Sequence, residues 1–105
     1  MEIRDKNVTV VGLARSGLGT TNLLSELGAE VTVTDIKKED KFRDIIPRLN
    51  PSVRLALGSH PEDIFLSADM IVISPGVSIY HPILQAADRA GVPAAHGVEH
   101  RGLLW

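Results

Sequence analysis

Hydrophobic and polar positions along this chain switch repeatedly between a two-residue and a near-four-residue period. Asn7-Val-Thr-Val-Val-Gly12 is β-branched and ends in glycine, as a buried parallel strand does. Gly17 to Leu27 then predicts a helix with Leu23, Leu24 and Leu27 on one stripe and Gly28 placed to end it. Glu30-Val-Thr-Val-Thr-Asp35 alternates Val31 and Val33 with Thr32 and Thr34, a second strand closing on an acid. Glu39 to Leu49 has helical spacing, but Pro47 lacks an amide donor, so this second helix is expected to stop near Ile46. Ser52 to Leu57 reads as a short third strand, Gly58-Ser-His-Pro61 as a loop, and Glu62 to Leu66 as one helical turn. Asp69-Met-Ile-Val-Ile-Ser74 is apolar on both faces and predicts a central strand, broken by Pro75-Gly76. His81-Pro82 opens a last helix with Ile83, Leu84, Ala87 and Ala90 on its apolar face and Gly91 past its end; Val92 to Ala95 is the fifth strand.

Strands joined by helical connections of roughly ten to fifteen residues imply right-handed crossovers and a parallel sheet covered on both faces. The fold class is α/β: a Rossmann-like open parallel five-stranded sheet in the order 3-2-1-4-5. Ligands on such sheets bind beyond the carboxyl ends of the strands, where the order reverses between strands 1 and 4. Three loops meet there: Leu13 to Ser16, Asp35 to Lys38, and Ser74 to Ser78.

The first loop, Gly12-Leu-Ala-Arg-Ser-Gly17, fits the fingerprint G-x-G-x-x-G at Gly12 and Gly17, with Ala14 in the middle position. That pattern serves a tight turn at Gly12, a backbone that approaches a diphosphate, and close helix–strand packing at Gly17. The helix that follows directs unpaired N–H groups and a positive dipole end at an anion, and Ser16 can cap it or donate to a phosphate oxygen. The alternative is a tight turn with no ligand. Asp35 stands where dinucleotide enzymes keep an acid for ribose hydroxyls, but Lys37 and Lys38 follow it, so the site offers a carboxylate beside cations. Gly76, across the switch point, has no side chain to keep a flat or bulky group from the backbone, and a plain turn explains it equally well.

Composition removes other chemistries. The chain has 105 residues, enough for one domain, with 44% hydrophobic residues to build a core. A net charge of −2 argues against non-specific nucleic-acid binding, and the absence of cysteine excludes disulfides, thiolate metal sites and cysteine nucleophiles. No apolar run approaches the ~20 residues that span a bilayer, and the N-terminus enters the first strand without a signal segment, so the expectation is a cytoplasmic domain with no membrane partner. G-x-x-x-x-G-K-[ST] occurs nowhere, so no ATP or magnesium cradle is expected in this chain. His96-Gly-Val-Glu-His100 matches the inverted zinc-protease pattern H-x-x-E-H, but that chemistry needs a helix where Pro93 and the alanines predict strand; no metal site is expected. His60 and His81 sit in loops beside prolines and read as surface residues, and no group has the spacing of a catalytic set.

Taken together, Val10-Val-Gly-Leu-Ala-Arg-Ser-Gly17, Val31-Thr-Val-Thr-Asp35, Ala68-Asp-Met-Ile-Val-Ile-Ser-Pro-Gly-Val77, His81-Pro82 and Ala90-Gly-Val92 resemble the N-terminal domain of a bacterial Mur ligase, closest to the D-glutamate-adding branch. The resemblance covers about residues 3 to 95, and its serine-proline-glycine step is the most specific piece. It implies that the domain binds the UDP part of a nucleotide-sugar substrate without using NAD. Arg15 and Ser16 would lie against the diphosphate, Asp35, Ile36 and Lys37 around the uracil, and Gly76 at the opposite border. In the complete ligase of such a family, ATP forms an acyl phosphate on the muramoyl-alanine carboxylate and the amine of D-glutamate attacks it. That chemistry belongs to central and C-terminal domains beyond this resemblance, which would be the protein partners of this one. Of the family's glycine-acid-x-Glu-Leu segment after strand 5 only Glu99 keeps its place, so residues 96–105 are read as an atypical tail of a truncated chain. Two other readings stay open: an NAD(P)-binding domain of a dehydrogenase or regulator, and a ligand-free module that self-associates through its apolar end.

Overall fold

The first strand, β1 (Asn7–Val11), is buried at four of its five positions, and the rest of the domain is laid down around it. The computed structural model describes residues 3–13, 15–74 and 82–96, without the side chains of Arg15, Ser16 and His96. After β1 come α1 (Arg15–Glu26), β2 (Glu30–Asp35), two 3-10 turns (Glu39–Phe42 and Ile46–Arg48), β3 (Arg54–Leu57), α2 (Glu62–Leu66), β4 (Met70–Ile73), α3 (Pro82–Arg89) and β5 (Ala94–His96). The strands form one sheet in the order β3-β2-β1-β4-β5, every neighbouring pair parallel, as the sequence predicts.

Alternation along the strands divides the core into two layers. Val8, Val10, Val31, Val33, Met70 and Val72 face α1 and the 3-10 turns, joined by Leu13, Leu24 and Phe42. Val11, Ile71 and Ile73 face α2 and α3, packed with Phe65, Leu84, Ala87 and Val92.

Three expectations are corrected. The expected second helix is absent. Phe42, Ile45, Ile46 and Leu49 keep the inward spacing, but through i to i−3 bonds: the amides of Ile45, Arg48 and Leu49 donate to the carbonyls of Phe42, Ile45 and Ile46 at 2.9–3.1 Å. An α-helix through Pro47 would lose a bond and drive the ring against the Arg43 carbonyl, so the chain breaks into two short turns. The stripe on α1 is also different. The helix begins at Arg15, and its buried face is Gly17, Thr20, Thr21 and Leu24, while Leu23 and Leu27 are 46% and 44% exposed. Small residues bring this helix closer to the sheet than leucines would. Finally, β5 runs from Ala94 to His96 and Val92 belongs to the core instead; Pro93 has no amide to give, and its carbonyl accepts from Ile71 at 2.9 Å.

The tight seating of α1 leaves a cost. Thr21 is fully buried and its hydroxyl has no hydrogen-bond partner among the described residues. Thr21→Val keeps the shape and removes the unpaired hydroxyl, and should stabilise the domain by roughly 1 kcal/mol in urea unfolding. Lower stability in Thr21→Val would show that the hydroxyl contributes a bond to the folded state.

Candidate functional site

Past Val11 the chain turns at Gly12, whose φ of 98° is a conformation that suits glycine. The Gly12 amide donates to the Thr34 carbonyl at 2.8 Å, and the Leu13 amide to Asp35 Oδ2 at 2.9 Å. These bonds tie the turn to the end of β2. On its other side, the Ser74 amide donates to the Val11 carbonyl at 3.0 Å, and the buried Ser74 hydroxyl donates to the Gly12 carbonyl at 3.0 Å. The turn is therefore held by both neighbouring strands. Gly17 fixes the height of α1 above it, since a β-carbon there would fall inside contact distance of the Gly12 carbonyl oxygen.

The ends of β1, β2 and β4 thus converge as the sequence predicts, bringing Gly12, Gly17 and Asp35 together. Arg15 and Ser16 lie in the first turn of α1, where amides lack intrahelical partners and no acid competes for the dipole. Their side chains, together with Ala14, Gly76 and the rest of 75–81, lie outside the described residues. So do Glu99 and His100; His96, the first residue of the H-x-x-E-H pattern, sits on β5 opposite Ile73 rather than on a helix. Among the described residues no group of three or more His, Asp and Glu is placed to hold a metal ion, and no helix is long and apolar enough to cross a membrane.

Asp35 does more than end a strand. Oδ2 accepts from Leu13, and Oδ1 accepts from the Lys37 amide at 2.9 Å, closing an Asx-type turn. This turn lifts Ile36 into solvent at 67% exposure, an apolar surface beside a carboxylate and Lys37. Behind it, the Gly58 amide donates to the carbonyls of both Asp35 and Lys37 at 2.8 and 3.0 Å, and Ser59 forms an antiparallel bridge with Asp35.

His60 continues that strap, and its reading as a surface residue is corrected. It is half-buried, its Nδ1 lies 3.0 Å from the hydroxyl of fully buried Thr34, and its ring meets Phe65 edge-on at 5.8 Å. A hydroxyl on a strand face that is otherwise covered needs a polar partner, so Thr34 signalled in the sequence that such a group exists. It did not signal which.

A family model described as "Mur ligase MurD-like, N-terminal domain" matches residues 6–96, almost the whole chain. The chain belongs to the MurD-like N-terminal domain family of Mur ligases. Among relatives of this MurD-like domain, a UDP-N-acetylmuramoylalanine–D-glutamate ligase of Geobacter metallireducens is 48% identical over 92 residues, 87% of this chain and 20% of that protein. One of Trichlorobacter lovleyi is 39% identical over 100 residues, 94% of this chain and 22% of that protein. A solved pseudomurein peptide ligase type C from Methanothermus fervidus superposes with a TM-score of 0.72 at 26% identity, covering 88% of this chain and 19% of that one. The chain thus spans about one fifth of the length of the relatives it matches.

The MurD-like site has a particular division of labour. The amides of Gly12 and Leu13 are committed inside the protein, whereas the first-turn amides of α1 lack intrahelical partners. Each carboxylate oxygen of Asp35 accepts one backbone amide, and a carboxylate oxygen has the capacity for a second donor.

Proposed function

We propose that this MurD-like domain recognises the uridine diphosphate end of a nucleotide-sugar substrate, as part of a ligase that adds D-glutamate in peptidoglycan synthesis. The diphosphate sits at the N-terminus of α1 against Arg15 and Ser16. The uracil sits on the Asp35–Lys37 turn, where Asp35 accepts from the ring N–H, Ile36 offers an apolar face and Lys37 meets a carbonyl, with Gly76 bordering from the opposite loop. Coupling of ATP hydrolysis to amide-bond formation, with ATP and magnesium, belongs to the remaining domains of a cytoplasmic enzyme, and this chain has no catalytic residue of its own. The observation that supports the reading is the convergence of the Gly12 turn, the α1 N-terminus and the doubly bonded Asp35 turn in a chain of this family.

The second reading, an NAD(P)-binding domain, draws on the same Gly12, Ala14, Gly17 and Asp35. Amide NMR titrations of the chain with UDP and with NADH separate the two. The expected result is shifts at Gly12–Gly17 and Asp35–Lys38 with UDP and none with NADH. Response to NADH alone would move the domain to the dinucleotide class.

A further inference from the structure

We propose that His60 is a positioning residue for nucleotide binding: through Thr34 it holds the end of β2 in the setting from which Asp35, Ile36 and Lys37 meet the base. This deepens the uridine-nucleotide reading and rests on it. Consecutive strand residues point to opposite faces, so the last turn of β2 is gripped from two sides. On one face the Asp35 carboxylate holds the Leu13 amide at 2.9 Å. On the other, the His60 ring reaches the Thr34 hydroxyl at 3.0 Å and is braced edge-on by Phe65.

The backbone of the strap does not depend on the residue at 60. Gly58 bonds the carbonyls of Asp35 and Lys37, and Ser59 bridges Asp35, whatever side chain follows. The imidazole adds a side-chain tie from this strap to β2. Thr34 is a lever for both halves of the site, because its own carbonyl accepts the Gly12 amide at 2.8 Å. A displaced Thr34 moves the phosphate turn as well as the base turn. Either tautomer of the ring can make the bond, since a hydroxyl both donates and accepts, so the tie does not depend on protonation. His60 is not placed among reacting atoms and takes no part in bond chemistry.

The test measures UDP affinity and amide hydrogen exchange in the 105-residue chain, at a temperature where each variant is folded by circular dichroism. His60→Leu fills the space against Phe65 without the bond. It should raise the UDP dissociation constant roughly three- to tenfold and speed exchange at Leu13 and Lys37. His60→Asn, whose amide reaches the same hydroxyl, should stay within about twofold of the parent. Thr34→Val removes the other partner and should match His60→Leu, with the double variant no worse than either single one. Thr34→Val alone decides the matter if His60→Leu does not fold. Parental UDP affinity and exchange in folded His60→Leu or Thr34→Val, or an Asn variant as weak as Leu, would overturn the proposal. Silence of the parent chain toward UDP would sink the nucleotide reading, and the role of His60 in nucleotide binding with it. The exchange rates would still show whether His60 orders the loop.

Discussion

Gly17→Ala should lower the melting temperature of the domain by roughly 5–15 °C, while Gly19→Ala, two positions along the same helix, should raise it by a few degrees. The same methyl group meets opposite surroundings. At Gly17 it enters the space of the Gly12 carbonyl oxygen, which is backbone and cannot swing aside. α1 would have to lift off the sheet, loosening Thr20, Thr21 and Leu24 with it. Such overpacking costs typically 1–3 kcal/mol, and the helix preference of alanine over glycine returns only about 1 kcal/mol of a larger strain here. At Gly19 nothing among the described residues lies within 4 Å, so the preference acts alone. Thermal unfolding followed by circular dichroism reads both. Equal stability of Gly17→Ala and the parent would mean that α1 does not sit at this height above the turn.

Asp35→Ala is expected to weaken UDP binding by about 1–3 kcal/mol through loss of charge-assisted hydrogen bonds, and to reduce stability as well. The carboxylate joins two turns, and its removal leaves the Leu13 and Lys37 amides to find other partners. Asp35→Asn disturbs both roles through the same two atoms. Its single carbonyl oxygen can serve one of these amides, while its NH2 group faces the other and repels it. Stability should fall by about 1 kcal/mol or more, with UDP affinity falling alongside. Calorimetric titration with UDP together with urea unfolding measures both quantities. Unchanged UDP affinity in Asp35→Ala would remove Asp35 from the base site.

Much of this was legible in the sequence because it rests on local rules. Alternation at Val31 to Thr34, the apolar run Met70 to Ile73 and the glycines at 12 and 17 each state a backbone requirement, and together they give the strand order and the place where loops meet. What was not legible depended on partners distant in the chain. Helical spacing at Phe42, Ile45, Ile46 and Leu49 is satisfied equally by 3-10 turns, and Pro47 tips the balance only once the sheet is there to receive them. Leu23 and Leu27 are as apolar as Leu24, and only the closeness enforced by Gly17 turns the helix so that Thr20 and Thr21 face inward. The sequence marks Asp35 as a candidate ligand group at the end of its strand, but its two bonds to backbone amides arise from a fold that no short window displays. His60 illustrates the same limit, since its partner lies 26 residues earlier.

The strand order also sets a timetable for the nascent chain. β1 is central, yet its contacts on one side are with residues near its own position in synthesis and on the other with a strand that emerges much later, as the Asn7–Asp69 and Gly12–Ser74 bonds, each spanning 62 residues, make plain. Until Met70 to Ser74 leave the ribosome, the half-sheet of β3, β2 and β1 exposes Val8 to Val11 as an open edge, an apolar template for mispairing with a neighbouring chain. The Gly12 turn can close against Thr34 early, but its carbonyl waits for Ser74. Completion of the turn is thus delayed until the fourth strand docks, a long-range closure of the kind that slows folding.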